Sequence, residues 1–386
     1  MRPVPGTVMA GIFGTHTHTS TETRSRMPKH PAGRGDRWLL LGIIVLAAIG
    51  ILMVYDSSVA IAIRDFGDAY HYVRDQVKWL ALGFIAFSVL SRVPYRFWRQ
   101  FAVPAIVGTM VLLVAVFIPG FGVRALGAHR WLNFGVFILQ PAELAKLSII
   151  LYLSAWFATK EHGRFLAFLL LTGMIVGLVI LEPDLGTAMI LLTTALTLYF
   201  LSGAPVSQFL LLLPVIVAGV AALAIFEPYR LQRVMTFLNP EADPLGASYQ
   251  IRQILLSLGS GGFFGIGLGK SRQKYEYLPE ANTDSIFAII GEETGFVGTV
   301  IVILMFLFLL WRCFRIARRT QEPFGKLLAL GVGSWIGIQT FVNIGSMVAM
   351  LPLTGVPLPL ISYGGSNLVI TLGALGMVYN VSKSHT

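Results

Sequence analysis

Trp38-Leu-Leu-Leu-Gly-Ile-Ile-Val-Leu-Ala-Ala-Ile-Gly-Ile-Leu-Met-Val-Tyr55 carries no charged side chain. A helix that crosses a bilayer takes roughly 20 mostly apolar residues, and its closed hydrogen bonding satisfies the backbone where water is absent. Val103–Ile118, Phe165–Leu181 and Phe296–Trp311 repeat the pattern. The whole chain of 386 residues is 55% hydrophobic and 12% charged, with a mean hydropathy of +0.73. The expected fold is therefore all-α, a polytopic membrane protein with about ten transmembrane helices. They are placed near 38–55, 73–91, 101–118, 141–157, 165–181, 185–201, 205–226, 285–311, 326–347 and 364–381.

The formal charge of +10 could suggest nucleic acid, but its distribution fits a membrane better. With the N-terminus cytoplasmic, 17 Lys and Arg fall on cytoplasmic segments and 5 on the short outer loops. That excess predicts cytoplasmic N- and C-termini, with the long 227–284 connection outside between spans seven and eight. Residues 1–37 form a basic tail rich in Thr, Pro and Gly, expected to be disordered. His16 and His18 within it suggest metal only weakly. No apolar core of a cleavable signal peptide is visible in the first 35 residues. One cysteine, Cys313, excludes a disulfide framework. The domain reading is one transmembrane domain over 38–381 and a short cytoplasmic tail, 382–386.

The polar residues that interrupt this apolar chain cluster near the outer ends of spans. Tyr277-Leu-Pro-Glu280-Ala-Asn282-Thr283-Asp284-Ser-Ile-Phe287 closes the long loop and runs into the eighth span. Asp284, or Thr283 before it, can cap that helix. Asp284 is equally placed to meet a lipid-borne headgroup at the boundary of lipid and water. Gln140-Pro141-Ala-Glu143-Leu-Ala-Lys146 opens the fourth span, with Pro141 suited to a first helical turn. Glu143 and Lys146, three apart, share a face and can pair or contact a substrate. Glu182-Pro183-Asp184-Leu-Gly-Thr187 joins two spans with almost no loop, and Asp184 suits a cap there. The 119–140 loop is glycine-rich and basic and includes Arg130. Arg74 and Lys78 belong to a solvated loop or face a headgroup.

Within the long connection, Tyr249–Leu258 reads as an amphipathic helix on the membrane surface. Gly259–Ser271 follows, rich in glycine, but the first glycine of a phosphate-binding loop would fall on Phe264 and no strand precedes it, which excludes nucleotide binding. Lys270, Arg272 and Lys274 beside this flexible backbone could meet a pyrophosphate or be solvated charges. Leu351–Asn367, with three prolines and paired glycines, predicts a rigid non-helical segment packed on protein. Gln339 and Asn343, one turn apart, can bond to it or to neighbouring helices.

These stretches, together with Gly291-Glu292-Glu293 and Pro357-Leu-Pro359 followed by Ile361-Ser-Tyr-Gly-Gly-Ser366, resemble the FtsW/RodA/SpoVE family, the SEDS proteins of bacterial cell-wall synthesis. The likeness spans about 38–381, in the family's order and with its span count. Tyr277–Ala281 and Ile289–Glu293 look more like the division branch (FtsW) than the elongation branch (RodA). Three positions depart from the family pattern: Asn282 where His is frequent, Asp75 before Gln76, and Ile138 where some members carry Arg.

The resemblance implies a SEDS fold and a glycosyltransferase that polymerises lipid II outside the cytoplasmic membrane for cell division. Undecaprenyl pyrophosphate would be the leaving group. It matches Asp284 to the family's essential loop aspartate and implies a class B penicillin-binding protein and other divisome proteins as partners. Forming a β-1,4 link from an α-linked donor inverts the anomeric carbon, so a carboxylate base taking the acceptor's proton suffices. Asp284 is assigned that role. Lys146, Glu143, Arg130, Asp184, Lys270 and Lys274 are the expected substrate-binding residues. A divalent cation, magnesium or manganese, would offset charge on the pyrophosphate, with no organic cofactor. The intramembrane charges Glu143, Lys146 and Glu292 equally suit a lipid II flippase, and a third reading is a non-catalytic scaffold that activates a penicillin-binding protein.

Overall fold

The computed structural model describes residues 35–125, 128–135, 137–159, 164–226, 228–239, 246, 248–275 and 277–385. Most of the basic tail, with His16 and His18, lies outside them. Ten helices follow the ten apolar runs: α1 (Arg37–Phe66), α2 (His71–Arg92), α4 (Ala102–Ala115), α5 (Pro141–Phe157), α6 (Phe165–Leu181), α7 (Leu185–Leu201), α8 (Val206–Phe226), α11 (Ile286–Arg319), α12 (Pro323–Met347) and α13 (Gly365–Ser382). Three shorter helices, α3 (Tyr95–Gln100), α9 (Pro228–Leu238) and α10 (Tyr249–Gly261), lie in connections. By length and composition α1, α11 and α12 can each cross a membrane alone. Leu166, Leu210 and Val111 are more than 60% exposed, as expected of side chains that face lipid tails.

α12 lies at the centre against α5, α7 and α11, and α13 packs along α2. At one end of the bundle the two described termini meet. Asp36 caps α1 by accepting from Leu39 N at 2.9 Å, its own amide donates to Ser382 Oγ at 2.9 Å, and its carboxylate pairs with Arg312. The first helix thus begins before Trp38, with Asp36 as its cap tied to two other helices.

The opposite end is built from connections. Instead of a plain loop, the 119–140 stretch holds a three-stranded antiparallel sheet, β1 (Gly122–Ala125), β2 (Ala128–Asn133) and β3 (Ile138–Leu139), with Gly122 opposite Leu132 and Leu132 opposite Leu139. The first span does not stop at Asp56-Ser57-Ser58 but continues to Phe66. Lys274 Nζ donates to Asp56 Oδ1 at 2.8 Å, so this carboxylate has a cation beside it and does not end the helix.

The glycine-rich stretch after α10 has a structural task. α11 is broken at Gly295, whose φ of 66° is open to glycine. Residues 262–267 fill the break. Phe296 N and Val297 N donate to the carbonyls of Gly262 (2.9 Å) and Phe263 (3.1 Å), while Ile266 N and Gly267 N donate to those of Glu292 and Glu293 (both 3.0 Å). Two amides and two carbonyls beside the break therefore find partners in this stretch. A Cβ on Gly265 would stand 2.1 Å from the Glu293 carbonyl oxygen, so only glycine lets the two stretches approach.

Candidate active site

At the connection-rich end a cavity of about 1710 Å³ opens between α2, the sheet, α5, α7, α9 and the segments before α11 and after α12. Asp284 lies in its wall. The N-cap of α11 is Ser285, with no side-chain cap bond, so capping does not account for Asp284. Its carbonyl accepts from Asn343 Nδ2 at 2.8 Å, and the same amide donates to Val356 O at 2.8 Å. Gln339 Nε2 donates to Pro357 O at 2.9 Å. Both α12 amides therefore clamp the proline segment, and Asn343 joins it to the backbone of Asp284.

The Asp284 side chain is buried, although the cavity reaches it. Burial, followed by the charge of Glu280, pushes its pKa up to about 7, with Arg233 pulling the other way. Thr283 Oγ1 lies 3.4 Å from Asp284 Oδ1. A carboxylate of this kind can take up and release a proton near neutral pH, as a general base must.

Across the cavity, Asp184 caps α7 by accepting from Thr187 N at 3.0 Å. It also accepts from Thr187 Oγ1 at 2.9 Å and from Gln140 Nε2 at 3.1 Å while lining the cavity. Arg130, on β2, is fixed by donating from Nε to Glu182 O at 3.0 Å and from Nη2 to Pro183 O. It too lines the cavity, as does Lys78, whose Nζ donates to Asp75 Oδ1 at 2.8 Å.

Glu143 and Lys146 pair within α5 at 2.8 Å, both buried. Glu143 reaches the cavity wall. Lys146 does not. Its ammonium is enclosed by Glu143, Gln339 Oε1 at 2.9 Å and the face of Trp335. Any effect of Lys146 on a substrate passes through Glu143.

Lys270 and Lys274 are not brought to the cavity. Lys270 is exposed on the loop. Lys274 is buried between Asp56 (2.8 Å) and Glu293 (3.3 Å), because two carboxylates inside the protein need a cation. Glu292 is likewise absorbed by structure, accepting from Arg272 N at 3.1 Å and from Ser271 Oγ, with Ser257 Oγ 3.3 Å away. α10 packs on α11 through that Ser257, which also donates to Ala288 O at 3.0 Å, rather than lying only on a membrane surface.

Three residues of the site escaped the sequence reading. Arg233 on α9 and Glu280 both line the cavity, and Glu182 lies beneath it. Burial, and then Asp184, push Glu182 up to about 8, with Arg130 opposing. Neither of its carboxyl oxygens has a hydrogen-bond partner among the described residues. The signal for Glu182 and Glu280 was present in the sequence, as acids beside proline in polar motifs. Arg233 gave no signal distinct from the other loop cations.

A sequence model for FTSW_RODA_SPOVE, described as "Cell cycle protein", matches residues 37–386. The chain belongs to the FtsW/RodA/SpoVE family. It is 38% identical to the "Probable peptidoglycan glycosyltransferase FtsW" of Geobacter sp. (strain M18), over 90% of this chain and 96% of that one. It is also 38% identical to the "Stage V sporulation protein E" of Bacillus subtilis (strain 168), over 90% and 97%. Among solved structures, a chain from a study of "polymerization and crosslinking by a peptidoglycan synthase complex" aligns with a TM-score of 0.75 and 30% identity, covering 91% of this chain and 98% of that one. The crystal structure of the rod shape determining protein RodA of Thermus thermophilus aligns at 0.67 and 29%, covering 91% and 97%. For this family member the fold likeness is thus accompanied by substantial sequence identity in each case.

Proposed function

We propose that the protein is a peptidoglycan glycosyltransferase that polymerises lipid II into glycan strands. The reaction takes place at the outer face of the bacterial cytoplasmic membrane and serves septal synthesis in cell division. The observation that carries this reading is Asp284, a buried carboxylate in the cavity wall that caps no helix and titrates near neutral pH. In the reaction the acceptor's 4-hydroxyl oxygen attacks the anomeric carbon of the donor. Its proton passes to Asp284 while the bond to undecaprenyl pyrophosphate breaks. A pyrophosphate leaves as a stable anion, so no protein acid is required.

The cavity volume supports a two-substrate reaction. At about 1710 Å³ it exceeds the ~300–1,000 Å³ of a usual small-molecule site, leaving room for two headgroups. Arg130, fixed by two backbone carbonyls, is the cation we assign to the pyrophosphate. Glu143, held by Lys146, and Asp184 with Gln140 supply acceptors for sugar hydroxyls. Lys270 and Lys274 have no part in this scheme. Among the described residues no group of three or more His, Cys, Asp or Glu gathers around a metal position. The divalent cation expected at the pyrophosphate therefore has no assigned protein ligands, and no step is routed through it. The positive-inside charge pattern supports cytoplasmic termini and an outward-facing cavity. The partner we infer is a class B penicillin-binding protein, which would crosslink the strands, within a larger division assembly.

Purified protein, alone or with that partner, is expected to make glycan strands from lipid II. Asp284→Ala is expected to abolish this while the protein still elutes as a folded species. Lipid II scrambling in vesicles that persists in Asp284→Ala and is lost in a Lys146→Met protein that still elutes as a folded species would instead establish a flippase. Preserved partner pull-down with neither activity would leave a scaffold.

A further inference from the structure

We propose that Glu280 and Arg233 are positioning residues of opposite charge on either side of Asp284, which together keep its carboxylate available to the acceptor hydroxyl. The inference rests on the reading of Asp284 as the base.

On the Oδ1 side, Glu280 has a φ of 53°, in the left-handed region that a residue with a Cβ avoids. Such conformations persist where the surroundings enforce them and gather at functional sites. Here the Glu280 carbonyl accepts from two amides, Thr283 N at 3.2 Å and Ser285 N at 3.1 Å, and Thr283 Oγ1 also lies 3.2 Å from it. The resulting tight turn folds the Glu280 side chain back onto Thr283. Thr283 Oγ1 donates to Glu280 Oε2 at 2.8 Å and stands 3.4 Å from Asp284 Oδ1. A hydroxyl has one hydrogen. While Glu280 holds it, the lone pairs of Asp284 are left for the incoming substrate. Were Glu280 neutral, the hydroxyl could turn to Asp284 and weaken it as a base.

On the Oδ2 side stands the proline segment. A Cβ on Gly355 would lie 3.8 Å from Asp284 Oδ2. Arg233 reaches this segment from α9 and donates from Nη1 to Leu353 O at 2.8 Å, two residues before Gly355. Its positive charge acts on Asp284 against that of Glu280. From α12 the contact is the neutral Asn343. The other charged groups lining the cavity are Asp75 and Lys78 on α2, Arg130 on β2, Glu143 on α5 and Asp184 at α7. Removing the Glu280 charge should therefore favour ionised Asp284 over protonated Asp284, and removing the Arg233 charge should do the reverse.

The test uses two readouts on full-length protein in nanodiscs. One is the pH profile of lipid II polymerisation. The other is the pH dependence of carbodiimide labelling at Asp284, read by mass spectrometry. Glu280→Gln is expected to move both midpoints to lower pH and Arg233→Gln to higher pH, each by on the order of one pH unit. Arg233→Lys, which keeps the charge, should restore the midpoint even where the rate falls. Thr283→Val, which removes the hydroxyl and keeps both charges, should move the midpoint less than Glu280→Gln does. Midpoints that stay fixed, or move the same way in both Gln variants, would overturn the proposal and leave the two residues as loop supports. Opposite labelling shifts alongside a fully active Asp284→Asn would uphold the charge pair and refute Asp284 as the base.

Discussion

Replacing Asp284 by Asn should separate activity from stability, and in opposite directions. The amide keeps the volume and the contact with Thr283 but cannot accept the acceptor's proton, so polymerisation should fall by roughly 10²–10⁴-fold. Stability should rise at high pH. In the folded protein the Asp284 carboxyl titrates at about 7, against 3.8 as its usual value. Below pH 3.8 both folded and unfolded chains hold the proton, and the group contributes nothing. Between pH 4 and 7 the unfolded chain releases it while the folded chain keeps it, so stability declines as pH rises. Above pH 7 the full cost of the buried charge is present, on the order of 4 kcal/mol from the two values and an upper limit once the site relaxes. The variant lacks this cost. Thermal unfolding followed by tryptophan fluorescence should give similar midpoints for both proteins near pH 4 and a higher one for Asp284→Asn at pH 8. A variant that polymerises at the parental rate would refute the chemistry. A stability difference that does not change with pH would refute the electrostatic account of the site.

Lys146→Met should lower stability by roughly 3–5 kcal/mol, because Glu143 is left buried without its cation, and adding Glu143→Leu should recover much of the loss. Comparing the unfolding midpoints of the single and double variants measures this. Gly265→Ala should lower the melting temperature and the yield of folded protein, at a cost of about 2–4 kcal/mol, since its methyl group meets the Glu293 carbonyl. Glu182 titrates at about 8, so the wild type should lose stability as pH rises from 5 to 9 in part through this residue. Glu182→Gln should flatten that decline in the same melting assay.

The spans were legible because ten apolar stretches leave a chain in lipid no other way to satisfy its backbone. Their ends were less so. Asp56 looks like a stop, yet α1 continues because Lys274, 218 positions away, neutralises it. The same long-range pairing misdirected the reading of Lys274 as a headgroup ligand. Asp284 stood out as an acid at a lipid boundary, whereas Glu280 looked like an ordinary loop acid until its backbone and its bond to Thr283 were seen. Gln339 and Asn343 were legible as polar side chains in an apolar helix, but not the carbonyls they would choose. The small sheet at 122–139 was hidden because strands of two to six residues leave little periodic pattern. The glycines of 261–267 read as flexible backbone able to meet a pyrophosphate, whereas in the fold they meet the backbone around Gly295.

That interlacing has a consequence for biogenesis. Four amides, from Ile266, Gly267, Phe296 and Val297, are satisfied across it, and the two stretches emerge from the ribosome about thirty residues apart. Neither can finish its hydrogen bonding until the other has been synthesised, so the eighth span cannot mature as an autonomous insertion unit. The residues between them, Asp284 included, are drawn into place when the seam closes, which makes assembly of the candidate site a late event in the life of the nascent chain.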